Sequence, residues 1–153
     1  MGKQFIYSRV STLNQDNQNQ LVHLKRQFPS AEVVEETASG AKTRPALDAL
    51  VQRLTKGDEL IVGSLDRLGR KTTEILVLIE QLEKRGVILK SLREGVDYST
   101  ISGRLVTQIL VSVSELERAI ISQRTKSALA AKRENGIVGW SAVAKLDTIF
   151  VSS

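Results

Sequence analysis

The stretch PALDALVQRLTKGDELIVG, residues 45–63, decides the fold class of this chain. Pro45 suits the first turn of a helix. An apolar stripe at helical spacing follows, formed by Leu47, Leu50, Val51 and Leu54. Gly57 then turns the chain, and residues 59–63 form an almost continuous apolar run, which is typical of a strand buried on both faces of a parallel sheet. The stretch therefore predicts a helix followed by a buried strand.

The same alternation extends to both sides of this stretch. Strands are predicted at residues 4–10, 31–35, 59–63 and 87–92. Helices are predicted at 17–28, from Pro45 onward, and at 75–85, with a loop at 36–45. Thr72 or Thr73 is predicted to cap the last of these helices, with Glu74 in its first turn. Because strands that alternate with helices form right-handed parallel units, we expect an α/β protein with a mainly parallel four- to five-stranded sheet and helices on both faces.

The pattern changes after a polar loop at residues 93–102. Residues 103–135 contain no Pro and no internal Gly, and they are predicted to form one long helix. Its first half is apolar nearly all round, which indicates burial against a partner subunit. The predicted interface residues are Leu105, Val106, Ile109, Leu110, Val113, Leu116 and Ile120. We expect three segments: an α/β core at 1–102, the long helix at 103–136, and a tail at 137–153 without clear periodicity.

Composition limits the possible functions. The chain has 153 residues, a formal net charge of +5, one His and no Cys. Disulfides, thiolate nucleophiles and zinc sites that need several Cys or His ligands are therefore excluded, and we expect no metal. The absence of Cys favours reducing, cytoplasmic conditions, and the apolar runs are far shorter than the roughly 20 residues of a membrane span. The positive charge mildly favours a polyanionic partner.

Four arginines are expected to converge on one hydroxyl group. Tyr7, Arg9 and Ser11 alternate at the end of the first strand, so they project to the same side. In a parallel sheet the loop 65–70 opens at the same edge, and it contains Asp66, Arg67 and Arg70. Arg44 lies in the loop after the second strand. Because clustered guanidinium groups repel one another, this arrangement suits a phosphate, and the implied substrate is a phosphodiester.

Other interpretations of the candidate residues have less support in the sequence. A serine hydrolase needs a His base and usually a Gly-x-Ser-x-Gly turn, and neither Ser11 nor Ser64 has that frame. His23 has no carboxylate spaced to orient it, which is typical of a surface His. No glycine-rich phosphate loop follows any predicted strand, so no nucleotide cofactor is expected. Asp66 and Arg67 alone could also form a simple surface ion pair.

Three sequence blocks together resemble the serine recombinases, the resolvase and invertase family. The blocks are YSRVST at 7–12, LDRLGR at 65–70, and ELER at 115–118 with QRT at 123–125. Their order and spacing resemble those of the family across residues 4–138. The resemblance implies a bacterial, phage or transposon protein, cytoplasmic and associated with the nucleoid, that carries out site-specific DNA recombination without a cofactor.

The resemblance also implies a role for each site residue. Ser11 would attack a DNA phosphate to give a 5′-phosphoserine link and a free 3′-hydroxyl, and homodimers would join into a tetramer that exchanges strands and reseals them. The phosphate would be bound by Arg9, Arg44, Arg67 and Arg70. Asp66 would position an arginine or protonate the leaving hydroxyl, and Tyr7 and Gln20 would shape the pocket. The base for Ser11 is not indicated by the sequence.

The second half of the long helix is rich in positive charge. Its basic residues are Arg118, Arg124, Lys126, Lys132 and Arg133. The resemblance implies that this half crosses the DNA minor groove and contacts phosphates. A charged helix end in solvent is the alternative.

The C-terminal part of the sequence departs from the family pattern. A helix-turn-helix domain is expected after the long helix, and residues 137–153 do not resemble one, so we expect a shifted reading frame or an artificial tail. Gln123 stands where a glutamate is common. These departures leave two hypotheses open: a recombinase catalytic domain, or a silent dimerising fragment that captures full-length relatives in inactive mixed oligomers.

Overall fold

The computed structural model describes residues 2–10, 15–37 and 43–150, with side chains described up to residue 135. The elements in chain order are β1 (Gln4–Val10), α1 (Gln15–Gln27), β2 (Glu32–Thr37), α2 (Pro45–Arg53), β3 (Glu59–Val62), a 3-10 turn (Leu65–Arg67), α3 (Thr72–Lys84), β4 (Ile88–Ser91), β5 (Val96–Asp97) and α4 (Ile101–Phe150). The described chain divides into two units, residues 1–113 and 114–153.

The five strands form one sheet in the order β2-β1-β3-β4-β5. The first four strands are parallel, and β5 runs antiparallel to β4. The central position of β3 explains its continuous apolar sequence, because Leu60, Ile61 and Val62 are all buried. The predicted fold class, an α/β protein with a mainly parallel sheet and a long C-terminal helix, is confirmed.

Side chains of β1 alternate between two hydrophobic clusters. Phe5 and Tyr7 enter the larger cluster, which also contains buried residues of α2 and α3. Ile6 enters the smaller cluster with Leu24 of α1 and Ile61 of β3. Helices therefore cover both faces of the sheet, and residue Arg9 continues the face that is covered by α2 and α3.

Two boundaries predicted near the candidate site are wrong. Strand β2 extends to Thr37, so Glu36 lies in the strand and not in the predicted loop. It pairs in parallel register with Arg9 of β1, an interaction that local sequence does not reveal. Helix α3 begins at Thr72 and is preceded by Lys71 as its N-cap, so neither Thr72 nor Thr73 caps it. The backbone turns into the helix one residue earlier than the capping preference of threonine suggests.

Two further differences concern the C-terminal half. The predicted loop 93–102 contains the short strand β5, which pairs antiparallel with β4 and forms one edge of the sheet. Helix α4 begins at Ile101 and continues to Phe150, so most of the tail that showed no periodicity is helical. Helix hydrogen bonds form within the backbone, so a helix can continue without an apolar stripe.

Asp58, in the turn before β3, is expected to stabilise the fold as a carboxylate. Its oxygens accept hydrogen bonds from the N–H of Lys3 at 2.9 Å and from the N–H and hydroxyl of Thr55 at 2.8 and 3.0 Å. Burial alone would raise the pKa of Asp58, but these N–H groups outweigh it and hold the pKa below its ordinary value of 3.8. Asp58→Asn should lower the free energy of unfolding at pH 7 by about 1–3 kcal/mol, measured by urea denaturation.

The pH dependence of the stability lost in Asp58→Asn tests whether the charge of Asp58 is the cause. Because the folded pKa is lowered, the stabilisation is present above pH 3.8 and disappears as the pH falls through the folded pKa. The difference between Asp58→Asn and the wild type should therefore shrink below pH 3.8. Glu83→Gln, at an exposed position in α3, should change little. A constant difference between pH 7 and pH 3 would contradict the role of the charge.

Candidate active site

Three strands bring polar side chains to the carboxyl edge of the sheet. In the register of β1 and β2, Arg9 lies beside Glu36. Strand β3 pairs with β1 up to Tyr7 and Val62, so the loop after β3 leaves the sheet at this same edge. The described loop after β3 and the ends of β1 and β2 therefore lie at one edge, whereas residues 11–14 and 38–42 lie outside the described residues.

Tyr7 is the buried residue of β1 nearest to this edge of the sheet. Its side chain is fully buried, and its hydroxyl lies 3.5 Å from Oε2 of Glu36. Burial, followed by the charge of Glu36, raises the pKa of Tyr7 to about 12, although the nearby charges of Arg44 and Arg9 act in the opposite direction. The phenol therefore remains protonated at physiological pH, and it can donate a hydrogen bond but cannot serve as a base.

Glu36 is a site residue that sequence reasoning missed. It is only 6% exposed, and its Oε2 accepts a hydrogen bond of 3.0 Å from the backbone N–H of Leu47 in the first turn of α2. One carboxylate thus joins Tyr7 of β1 to the start of α2. The available signal was an acidic residue close to the carboxyl end of a parallel strand, but only the strand register places it beside Arg9.

Arg9 and Arg44 supply the positive charge nearest to Tyr7. Arg9 is half-buried, and its Nε is buried without a hydrogen-bond partner among the residues that the structure describes. A buried donor without a partner costs stability, unless a bound group supplies the acceptor. Arg44 is half-buried at the N-cap of α2. The two guanidinium groups make this edge of the sheet attractive to an anion.

The loop after β3 is anchored by apolar side chains and presents charged ones. Leu65 and Leu68 are buried in the larger cluster, whereas Asp66 and Arg70 are exposed and Arg67 is half-buried. Within the described ranges no ion pair joins Asp66 to Arg67. The surface ion pair considered for them is therefore not formed here.

Gln20 of α1 lies over the end of β3, on the face of the sheet opposite to the one that α2 and α3 cover. A Cβ atom built on Gly63 would lie 2.2 Å from the side-chain amide of Gln20, so only glycine permits this contact. The structure therefore places Gln20 against the backbone of Gly63, just beyond the end of β3. Ser11 and residues 12–14 lie outside the described residues.

A groove of about 690 Å³ runs between α2 and α3 and includes Arg44. Its apolar lining includes Leu47, Val51 and Leu68, and Glu74 contributes a carboxylate. The predicted site residue Arg44 and the loop after β3 therefore share one surface depression. Arg44 is the N-cap of α2, and Thr73 and Glu74 of the first turn of α3 line the same groove.

Helix α4 carries the residues predicted for the oligomer interface. Val106 and Leu110 are half-buried and pack against the larger cluster of the same chain. Leu105, Ile109, Val113, Leu116 and Ile120 are exposed. The predicted DNA contacts Arg118, Arg124, Lys126, Lys132 and Arg133 are exposed as well. Exposed apolar side chains such as Leu105 and Ile109 are typical of an interaction surface.

The described residues contain neither a candidate metal site nor a membrane span. Within residues 2–10, 15–37 and 43–135 there is no group of three or more acidic or His side chains that could hold a metal ion. No helix in the part of the chain described here combines the length and the apolar character that a membrane span requires.

Solved structures share this architecture. The N-terminal catalytic domain of TP901-1 integrase matches 77% of this chain and 98% of its own, with 29% identity and a TM-score of 0.61. A resolvase family site-specific recombinase from Streptococcus pneumoniae, at 22% identity, shares the fold over 88% of this chain and 99% of its own, with a TM-score of 0.68. The fold is thus that of recombinase catalytic domains.

Sequence comparison identifies the family. Residues 4–138 match the family described as Resolvase, N terminal domain. A probable DNA-invertase of Sinorhizobium fredii is 44% identical over 131 residues, which cover 85% of this chain and 43% of that protein. The DNA-invertase of Enterobacteria phage P7 is 38% identical over 135 residues, covering 87% of this chain and 72% of that protein. The chain belongs to the resolvase family, and it spans less than half the length of the first of these relatives.

Proposed function

We propose that this chain is the catalytic part of a site-specific DNA recombinase of the resolvase and invertase type. The observation that supports this most is the presence of two half-buried arginines, Arg9 and Arg44, near Tyr7 at the carboxyl edge of the sheet. A phosphate of DNA is an anion that offsets these arginine charges and accepts hydrogen bonds from guanidinium groups. Family membership supports the same chemistry.

The proposed reaction is a transfer of a DNA phosphate to Ser11 and back. Oγ of Ser11 attacks the phosphorus, the bond between phosphorus and the 3′ oxygen breaks, and a 5′-phosphoserine link forms. The Ser11 hydroxyl loses a proton, and the departing 3′ oxygen takes one up. Because the phosphoester bond is conserved on Ser11, the 3′-hydroxyl of an exchanged strand can reverse the step without ATP.

The surrounding side chains stabilise charge in this step. Arg9, Arg44, Arg67 and Arg70 are proposed to donate hydrogen bonds to the phosphate, whose negative charge grows in the transition state. Asp66 is proposed to orient an arginine or to protonate the 3′ oxygen. Gln20 is proposed to shape the pocket through its contact with Gly63. Glu36 holds the Tyr7 hydroxyl and the start of α2, and thereby positions Arg44.

Helix α4 is proposed to serve both oligomerisation and DNA binding. Leu105 and Ile109 are 58% and 54% exposed on its apolar half, which fits the interface of a homodimer that converts to a tetramer. The exposed basic residues of its second half are proposed to contact phosphates along the minor groove.

If the exposed apolar residues of α4 form the dimer interface, a charged side chain introduced there should make the protein monomeric. Ile109→Glu should weaken self-association by about thirtyfold or more, because an unpaired charge would be buried in the interface. Sedimentation velocity over a range of concentrations measures this effect. Val22→Glu is a matched control, since Val22 is 48% exposed on α1. Equal weakening by both variants would contradict an interface on α4.

A second function draws on the same exposed face. A chain that dimerises without cleaving DNA could capture longer relatives in inactive mixed oligomers, and the exposed apolar residues of α4 support this alternative.

One experiment separates the two functions. The chain is fused to an unrelated DNA-binding domain and incubated with DNA that carries paired sites for that domain. A covalent complex of protein with the 5′ ends supports the recombinase. Dimers that bind the paired sites without any covalent complex support the silent partner.

A further inference from the structure

Arg93 follows β4 at the same edge of the sheet as the candidate site. The backbone N–H of Leu92 donates a hydrogen bond of 3.0 Å to the carbonyl of Val62, and the N–H of Arg93 donates one of 2.9 Å to the carbonyl of Gly63. The pairing of β4 with β3 thus continues past the last residue of both strands. Arg93 therefore lies directly beside the backbone at which the loop after β3 leaves the sheet.

A tight turn fixes the backbone of Arg93 at this position. The N–H of Gly95 donates a hydrogen bond of 3.1 Å to the carbonyl of Leu92, which closes the turn. Gly95 itself has a positive φ of 64°, a conformation that glycine adopts without strain. Arg93 and Glu94 are the two central residues of the turn, so their side chains branch from an anchored backbone.

The two side chains of this turn are held differently. The hydroxyl of Ser91, a buried residue of β4, donates a hydrogen bond to the carboxylate of Glu94. The Glu94 side chain therefore reaches back towards the strand. Arg93 is exposed, and none of the ion pairs between described residues includes it. The turn thus presents a cation to the solvent at the carboxyl edge of the sheet.

Arginines accompany all four parallel strands at this edge. In the order of the strands in the sheet they are Arg44 after β2, Arg9 in β1, Arg67 after β3 and Arg93 after β4. Because neighbouring strands lie about 4.8 Å apart, β4 is about 10 Å from β1. Successive phosphates of one DNA strand advance by about 3.4 Å along the duplex axis. The row of arginines therefore fits several phosphates of one strand better than a single phosphate.

We propose that Arg93 binds a DNA backbone phosphate about three nucleotides away from the phosphate that Ser11 attacks. The inference rests on the proposed function, and it extends the DNA-binding surface of the catalytic edge to β4. A contact of this kind carries no sequence information, but it holds the DNA strand across the edge of the sheet.

Other roles for Arg93 predict different results. A solvated surface charge predicts that its removal leaves DNA affinity unchanged. A contact with a second protein chain predicts altered self-association and an unchanged salt dependence of DNA binding. A phosphate contact predicts weaker DNA binding with a smaller salt dependence, because fewer counter-ions are released.

The test measures the affinity of the full chain for a fluorescein-labelled duplex by anisotropy at about 50–200 mM KCl, where phosphate contacts change affinity strongly. Arg93→Gln should bind about three- to tenfold more weakly at the lowest salt, and the slope of log K against log salt should become shallower by about 0.9. Arg93→Lys should restore most of the affinity and the slope, since an ammonium group also binds phosphate. The free energy of unfolding of Arg93→Gln should match that of the wild type.

Arg26→Gln is the matched control. Arg26 is an exposed arginine in the last turn of α1, and α1 leads from the carboxyl edge of β1 back to the opposite edge of the sheet, where β2 begins. Its replacement removes the same charge and should leave affinity and slope unchanged.

Three results would overturn the inference alone, in a chain whose DNA binding is weakened by Arg44→Ala. They are equal losses from Arg26→Gln and Arg93→Gln, no loss from Arg93→Gln, and a loss that Arg93→Lys does not restore. Altered self-association of Arg93→Gln in sedimentation velocity, with an unchanged slope, would assign the residue to a protein contact and overturn it too. A wild-type chain that does not bind the duplex at all would overturn the proposed function as well.

Discussion

Replacing Ser11 with alanine is expected to abolish the covalent complex between protein and DNA while leaving non-covalent binding unchanged. The oxygen that forms the new bond to phosphorus is lost, and no other hydroxyl is proposed to take its place. The rate of adduct formation on paired sites should fall by about 10⁴-fold or more, the effect typical of removing a nucleophile. The fused protein described above and a denaturing gel measure this rate.

Ser8→Ala is the matched control for this prediction. Ser8 is half-buried in the same strand, and it lies on the sheet face that is covered by α1. The variant should form the adduct at close to the wild-type rate. A Ser11→Ala protein that still forms the adduct would contradict the assignment of the nucleophile.

Arg9→Lys is expected to slow adduct formation by about 10²- to 10³-fold. Lysine retains the positive charge but lacks the planar fork and the Nε–H that remains without a partner among the described residues. Because that donor makes no hydrogen bond within the described protein, its loss should not reduce the free energy of unfolding. Rate measurements at saturating DNA, together with urea denaturation, separate these two effects.

Arg53→Lys makes the same chemical change at the other end of the sheet. Arg53 donates two hydrogen bonds to Glu32, at 2.8 and 3.0 Å, and stacks over the ring of Phe5. Its replacement should slightly lower stability and leave the rate of adduct formation unchanged. A large loss of rate in Arg53→Lys alone would indicate that the catalytic edge has been placed at the wrong end of the sheet.

Those parts of the fold that depend on local pattern were predictable. The continuous apolar run of β3 and the apolar stripe of α2 report burial directly, and both elements lie where the sequence indicates. The parallel sheet follows from the alternation of such elements. The end of α3 was also predictable, because Gly86 adopts a positive φ of 70° just beyond it.

Features that depend on pairing between distant segments were not predictable. The sequence pattern places Glu36 in a loop. Only the register of β2 with β1 shows that it lies beside Arg9 and that its carboxylate accepts a hydrogen bond from Tyr7. The N-cap of α3 was misplaced because Glu74 binds the backbone of Arg70, which favours an earlier helix start. Val106 and Leu110 pack against the larger cluster of the same chain, a contact that a sequence pattern does not reveal because it does not tell which apolar face meets the same chain.

The candidate site was predictable to the extent that it depends on strand ends. Tyr7 and Arg9 of β1 and Arg67 and Arg70 after β3 lie at one edge, as a parallel sheet requires. Sequence spacing cannot show that Tyr7 is fully buried, or that the Nε of Arg9 lacks a partner in the described structure. Those two facts depend on side-chain packing between distant segments, which spacing along the chain does not reveal.

Mass spectrometry of the trapped covalent complex tests the central claim most directly. After nuclease treatment and digestion with trypsin, the nucleotide should be carried by the peptide of residues 10–25, which contains Ser11, because trypsin cleaves after Arg9 and Lys25. Fragment ions should place a 5′-linked phosphate on the Ser11 oxygen. A nucleotide found on residues 4–9, which include Tyr7, or on the peptide that contains Ser64, would contradict the account.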